Sequence, residues 1–302
     1  MSARVSTDSE VPVTTPDGGG PTVLRRLLGL HLRRLREERG ISRAEAAEVI
    51  RGSESKISRL ELGRLSFRER DVGDLLTCFG VADPDTRETI LTLVREANAP
   101  GWWRSFSDVL PTWFERYVGL ESAASAIRTY EAQFIPGLLQ TEEYARAVTR
   151  AGQLPGRTSG VFDIDRKVGL RAARQRILAR ADPPRVWAVI DEGALRRQIG
   201  GWRVMRAQLE HLLELHARPN VTIQIMPFGF GGHVAQVGAF TVLRFSDPDL
   251  ADVIYLEHLT GAVYLDKRED ADRYHEVFVQ LAIDSQTPLN SAATLAGILS
   301  EA

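Results

Sequence analysis

Between Ser53 and Arg59 the chain reads SESKISR, which places hydroxyl, carboxylate, ammonium and guanidinium groups within two turns of a helix. Arg59 carries a planar fork of donors that suits the O6 and N7 acceptors of a guanine, and Glu54 carries acceptors that suit a cytosine amino group. Ser53, Ser55 and Lys56 add short or mobile polar groups beside them, a set able to read base edges. A solvated polar helix face has the same residue types, so the surrounding elements must separate the two readings.

Ser42 to Gly63 reads SRAEAAEVIRGSESKISRLELG. Ser42 with Glu45 is a capping box and Ser53 is a second N-cap, so two short helices follow one another with a tight turn between them. That spacing is a helix-turn-helix, whose second helix can enter a DNA major groove. Ile57 and Leu60 fall on its inner face, which leaves Ser53, Glu54, Ser55, Lys56 and Arg59 for bases. Arg43, Arg51, Ser58, Arg64, Arg68 and Arg70 surround them and are expected to meet phosphates.

Charge supports this division. The whole chain of 302 residues has a formal net charge of -2, yet Thr22 to Arg70 holds 13 Lys and Arg against seven Asp and Glu. A basic head on an acidic body concentrates attraction for phosphate in one region. The single cysteine, Cys78, excludes an internal disulfide framework and a cysteine-rich zinc site, and within DLLTCFG it reads as a buried thiol of a reducing cytoplasm. Nowhere is there an apolar run long enough for a membrane span, and no cofactor or metal is implied.

The expected architecture has two domains: an all-α head of five helices and a following α+β domain. Residues 1 to 21, with three consecutive glycines, read as a disordered leader. Over residues 22–98, apolar positions predict helices around Leu24 to Leu35, Ser42 to Ile50, Ser53 to Leu62, Val72 to Phe79 and Pro84 to Val94. NAPGWW breaks the pattern and predicts a linker over 99–105. Over 106–302, helices are predicted at Thr112 to Ser122, Thr141 to Gly152, Asp163 to Arg180, Trp202 to His216, Lys267 to Ile283 and Ser291 to Leu299. Strands are predicted at 186–190, 221–226, 240–245, 253–257 and 262–265.

On LRRLREERGISRAEAAEVI and SESKISRLELG the head resembles the Xre-type, phage-repressor-like helix-turn-helix family over about residues 24 to 98. The resemblance implies a scaffold pair, Arg36 with Glu61. It also exposes a departure: the family has glycine and then a small apolar residue between the two helices, where this chain has Arg51 and then Gly52. Residues 106 to 300 resemble the C-terminal domain of a large actinobacterial regulator family that includes WhiJ-like and antitoxin-like proteins. The matching segments are YEAQFIPGLLQTEEYARA at 130–147, IDEGALRR at 190–197, and Gln208 through PNVTIQIMPF to Gly238, Phe240 and YLE ending at Glu257. In that family a serine-rich run is usual near the C-terminus, altered here to IDSQTPLNSAATL.

This second resemblance implies a cytoplasmic transcriptional regulator that binds a double-stranded operator and works with a small protein partner encoded nearby. Homodimerisation is expected because one such head reads little DNA and two heads read a two-fold site. The alternative is an antitoxin-like protein whose main work is to hold a partner, with DNA binding serving autoregulation. Tyr130, Glu131, Gln140, Glu192, His233, Glu257 and His258 are candidates to line a small-ligand pocket; capped termini and satisfied core polar groups explain the same residues. Glu131 and Glu257 with His233 or His258 have acid and base types, but there is no Walker-type loop, HExxH or GxSxG, so no enzyme is expected. GFGGH at 229–233 reads as a turn, with a phosphate cradle as the weaker option.

Overall fold

The computed structural model describes residues 20–152, 161–235 and 238–301. All but the end of the expected leader, residues 1 to 21, lies outside the described residues. The chain divides between Pro100 and Gly101 into two compact units.

In the first unit the described helices are α1 (Pro21–Glu38), α2 (Arg43–Val49), α3 (Glu54–Glu61), α4 (Glu69–Cys78) and α5 (Pro84–Asn98). Leu28, Leu32, Ala46, Ala47, Ile50, Ile57, Leu60, Val72, Leu75, Leu76, Ile90 and Val94 interlock as one core. Cys78 is half-buried against that core, short of the full burial expected for it. The α1 and α3 backbones come so close that a Cβ on Gly29 would lie 2.4 Å from the carbonyl oxygen of Leu60, so that crossing admits only glycine.

Each of α1 to α4 ends in the same motif: the N–H two residues past the cap reaches back to a carbonyl in the last turn, across one left-handed residue. After α1, α3 and α4 that residue is Gly40, Gly63 or Gly80, with φ of 66, 62 and 72°. After α2 it is Arg51, with φ 50°, while Gly52 N–H bonds Ala47 O at 2.8 Å and Arg51 N–H bonds Glu48 O at 3.0 Å. The glycine is thus not shifted by one position in the turn; an arginine occupies the glycine site and carries the strain.

The second unit contains α6 (Thr112–Ala123), β1 (Ala126–Glu131), α7 (Glu142–Ala151), α8 (Val161–Gln175), β2 (Arg185–Asp191), α9 (Glu192–Arg196), α10 (Trp202–His216), β3 (Val221–Met226), β4 (Phe240–Arg244), β5 (Val253–His258), β6 (Gly261–Leu265), α11 (Arg268–Asp284) and α12 (Pro288–Ser300). Within the expected linker, residues Trp102–Phe106 form a 3-10 turn, and Trp103 is buried with Leu110, Val118 and Leu170 of this unit.

The described strands form one mixed sheet in the order β3-β2-β1-β4-β5-β6. β1, β2 and β3 run parallel, as crossovers through α7–α8 and α9–α10 require, whereas β4, β5 and β6 add antiparallel on the other side of β1. Alternation along the strands creates two faces. Tyr130, Val189, Met226, Phe240, Val242 and Ile254 pack beneath Phe278 and Leu281 of α11. On the opposite face Tyr255 meets Tyr117 of α6 at 4.2 Å between ring centroids.

β1 and α9 are elements that the sequence pattern did not predict. β1 reads AIRTYE, with polar residues on both faces, so it lacks the apolar run usual for a central strand. Its polar groups have partners supplied by distant elements: Thr129 with Thr241 at 3.0 Å, and Arg128 with His275 at 3.0 Å. The predicted helix at Asp163 to Arg180 ends at Gln175 and tightens into a 3-10 turn over Arg176–Ala179.

Candidate nucleic-acid interface

The helix pair α2–α3 is built by its caps. Ser42 Oγ accepts from Glu45 N–H at 3.2 Å while Glu45 accepts from Ser42 N–H at 2.7 Å, which holds the Glu45 carboxyl below the usual carboxylate range. Ser53 Oγ accepts from Lys56 N–H at 3.2 Å and starts α3. Ser53 is therefore committed to the backbone as a cap, although it remains exposed at the helix N-terminus.

An ion-pair triad, buried at Arg36 and Glu61 and open to solvent at Arg43, then ties α3 to α1 and α2. Arg36 of α1 donates Nε to Glu61 Oε1 at 2.5 Å and Nη1 to the carbonyl of Ile41 at 2.7 Å. Arg43 of α2 reaches Glu61 Oε2 at 3.0 Å. The hydrogen bond to Glu61 raises the Arg36 pKa, so the guanidinium stays charged despite its burial. One carboxylate at the end of α3 thus joins three helices.

Around this frame Glu54, Ser55 and Arg59 are exposed on α3, and Arg59 Nε donates to the Ser55 carbonyl at 3.2 Å. Lys56 is placed differently: its ammonium lies 2.6 Å from Asp71 of α4, so its charge is turned toward the scaffold. Arg43 is half committed in the same way, through Glu61. Ser58 is half-buried; Arg51, Arg64, Arg68 and Arg70 are exposed, with Arg70 3.9 Å from Asp74. The loop carrying Arg68 is pinned where Phe67 N–H donates to Asn98 Oδ1 at 3.1 Å and Asn98 Nδ2 donates back to the Phe67 carbonyl at 2.5 Å.

The seven pocket candidates of the second unit divide between the two sheet faces and do not form one group. Tyr130 and His233 meet on the α11 face at 3.1 Å, and burial first, then the charges of Asp191 and Glu131, pushes the Tyr130 hydroxyl up to about 12. Glu131 and Glu257 lie on the other face, on strands separated by β4. Glu257 accepts from Tyr255 at 2.7 Å, whereas Glu131 is pushed up to about 8 by desolvation and by the Glu257 charge. Gln140 is buried between the Ile135 carbonyl at 2.6 Å and Arg171 at 2.9 Å. Glu192 is held by Arg196 at 2.6 Å and by Phe228 N–H at 3.0 Å; His258 is exposed beside Thr260.

The sheet therefore separates Glu131 from His233, and an acid–base pair between them is not assembled. GFGGH begins inside a 3-10 turn at Phe228–Phe230, which is followed by Gly231 with φ 80°. Patterning did not single out the buried pair Arg174–Glu121, bidentate at 2.7 and 2.8 Å, with the guanidinium over Phe114 and Tyr117. The three- and four-residue spacings of Phe114–Tyr117–Glu121 and Arg171–Arg174 place these groups on inward helix faces, but only the fold brings α6 and α8 together.

Two family models match the chain. Residues 27–90 match one described as a helix-turn-helix domain, and residues 114–297 match one described as a domain of unknown function, DUF5753. No curated protein and no solved structure matches. Among the described residues no helix is long and apolar enough to cross a membrane.

Proposed function

Because the chain belongs to the DUF5753 family and carries a helix-turn-helix domain ahead of that region, we propose that it is a sequence-specific transcriptional regulator. Its C-terminal unit receives a signal or a protein partner, and it acts as a homodimer in the cytoplasm on a two-fold operator. The observation that carries this reading is the Arg36–Glu61–Arg43 triad, which fixes a doubly capped α3 and leaves Glu54, Ser55 and Arg59 exposed on it. A rigid helix with outward donors and acceptors and arginines around it is what base readout and phosphate anchoring need. The quoted motifs support kinship with Xre-type and WhiJ-like regulators as part of this reading.

In this reading Arg59, Glu54 and Ser55 contact bases, with Ser53 at the helix start. Lys56 joins them only by leaving Asp71. Arg51, Ser58, Arg64, Arg68 and Arg70 meet phosphates, and Arg43 does so from its anchored position on Glu61. Selection of bound duplexes from a random pool, followed by footprinting, tests it. A recovered two-fold motif with paired footprints is the expected result, and retention without enrichment of any sequence sinks it.

A second reading, the antitoxin-like one, has its own observation. Phe228, Phe230 and Val234 follow β3 and are 59, 43 and 51% exposed, an apolar group suited to a protein partner. The ligand candidates, by contrast, are mostly spent on internal bonds. Purification from the native host separates the two: a stoichiometric small protein favours partner binding, and an operator affinity shifted by a small molecule favours sensing.

A further inference from the structure

The two edges of the sheet are finished in different ways. At the β3 edge Ile225 N–H donates to Ser291 Oγ at 3.0 Å, and the Ile225 carbonyl accepts from Gln286 N–H at 2.9 Å. The chain leading into α12 thus closes that edge. At β6 no such cover is present among the described residues. The pair His258↔Gly261 closes a two-residue turn, so Gly261, Val263 and Leu265 direct their N–H and C=O groups to β5, while Ala262 and Tyr264 direct theirs outward. These outward groups meet no backbone partner among the described residues.

An open edge invites another strand unless charge, proline or a bulge blunts it, and GAVYL has neither a charge nor a proline. Val263, 44% exposed, stands on the same sheet face as Leu256 and Leu265, which pack on the α11 core. Leu259 at the hairpin tip is 97% exposed. The edge is therefore a short, uncharged ladder with apolar side chains beside it.

We propose that a second copy of this chain pairs with β6 antiparallel, about a two-fold axis through Val263. This deepens the homodimer of the proposed function, and rests on it, by naming its surface. In that register Ala262 faces Tyr264 of the second copy and Tyr264 faces its Ala262. All the outward groups of both residues then find partners, and Val263 packs on its own counterpart. Sliding the register by one outward residue leaves half of those groups unpaired, so the edge is most complementary to itself at Val263. Such an isologous contact joins two sheets and supplies the two heads that a two-fold operator requires.

Light scattering on the full chain without DNA tests the pairing, together with the variants Val263→Lys and Ala262→Pro. Lysine sets two like charges against each other on the axis, and proline removes an outward N–H that the sheet itself does not use. The expected masses are two chains for the wild type and one for each variant, with the tryptophan-fluorescence unfolding transition of Val263→Lys preserved. In a Cys78→Ala background, Val263→Cys should oxidise to a covalent dimer and Thr260→Cys should not. A wild-type chain of single mass, a Val263→Lys chain that stays dimeric, or equal cross-linking at both positions overturns the proposal. A wild type that is dimeric by these criteria yet enriches no DNA sequence defeats the DNA-binding reading and leaves the β6 pairing standing.

Discussion

Arg36 and Glu61, 25 residues apart, meet at 2.5 Å in the interior of the first unit, and the second oxygen of Glu61 accepts from Arg43 at 3.0 Å. Their value is positional. Two arginines from different helices converge on the last residue of α3, which ties that helix to α1 and α2 from within.

Replacing Glu61 with Gln should leave the buried Arg36 charge only the more exposed Glu37, 3.3 Å away, as counter-ion, and destabilise the first unit by about 3 kcal/mol. All five tryptophans lie at or beyond Trp102, so fluorescence follows the second unit while circular dichroism follows both. The expected outcome is an earlier helical transition with an unmoved fluorescence transition; coincident early transitions would contradict a local role.

Arg51 occupies a left-handed position that glycine fills in the three sister turns. Arg51→Gly should therefore stabilise the first unit by about 1 kcal/mol. If Arg51 meets phosphate, the same change should weaken binding to all DNA sequences alike and reduce the salt slope by roughly one counter-ion. Greater stability with unchanged DNA affinity would remove Arg51 from the interface.

Arg59→Ala should cost about 1 to 3 kcal/mol on the selected operator and relax preference at one base pair, with little loss on random DNA. Titrations of both duplexes at one fixed salt concentration decide it, and equal losses on the two would assign Arg59 to phosphate instead.

Glu131 gives the second unit a pH dependence. Burial and the Glu257 charge push its folded-state pKa to about 8, above the ordinary 4.5, so the folded unit binds the proton more tightly than the unfolded chain. The resulting stability is fully present below the unfolded value, declines as pH rises between the two, and is lost above about 8. Fluorescence-monitored denaturation should show the midpoint falling from pH 5 to 9, and Glu131→Gln should flatten that fall. An equal slope in the variant would place the dependence elsewhere.

Much of this was legible in the chain before folding. Ser42 with Glu45, Ser53 and the glycines after α1, α3 and α4 carry local signals, because caps and left-handed turns are satisfied within a few residues. The helices of the first unit and the strands β2 to β6 followed from periodicity. β1 did not: Arg128, Thr129 and Glu131 make it look like a loop. Nor could patterning show that Lys56 turns to Asp71, or that Glu131 and His233 end on opposite faces of a sheet.

The sequence by itself determined the ligand class of the head, the caps and the inward stripe of each helix, since these depend on neighbours three or four residues away. Only the tertiary structure decided that Arg43 and Arg36 share one carboxylate, that an arginine bears the strain of the turn before α3, that Arg174 and Glu121 pair under aromatic rings, and that β6 is left open while β3 is closed. These facts depend on groups brought together from distant parts of the chain, and burial of the core, not local propensity, sets which of them meet.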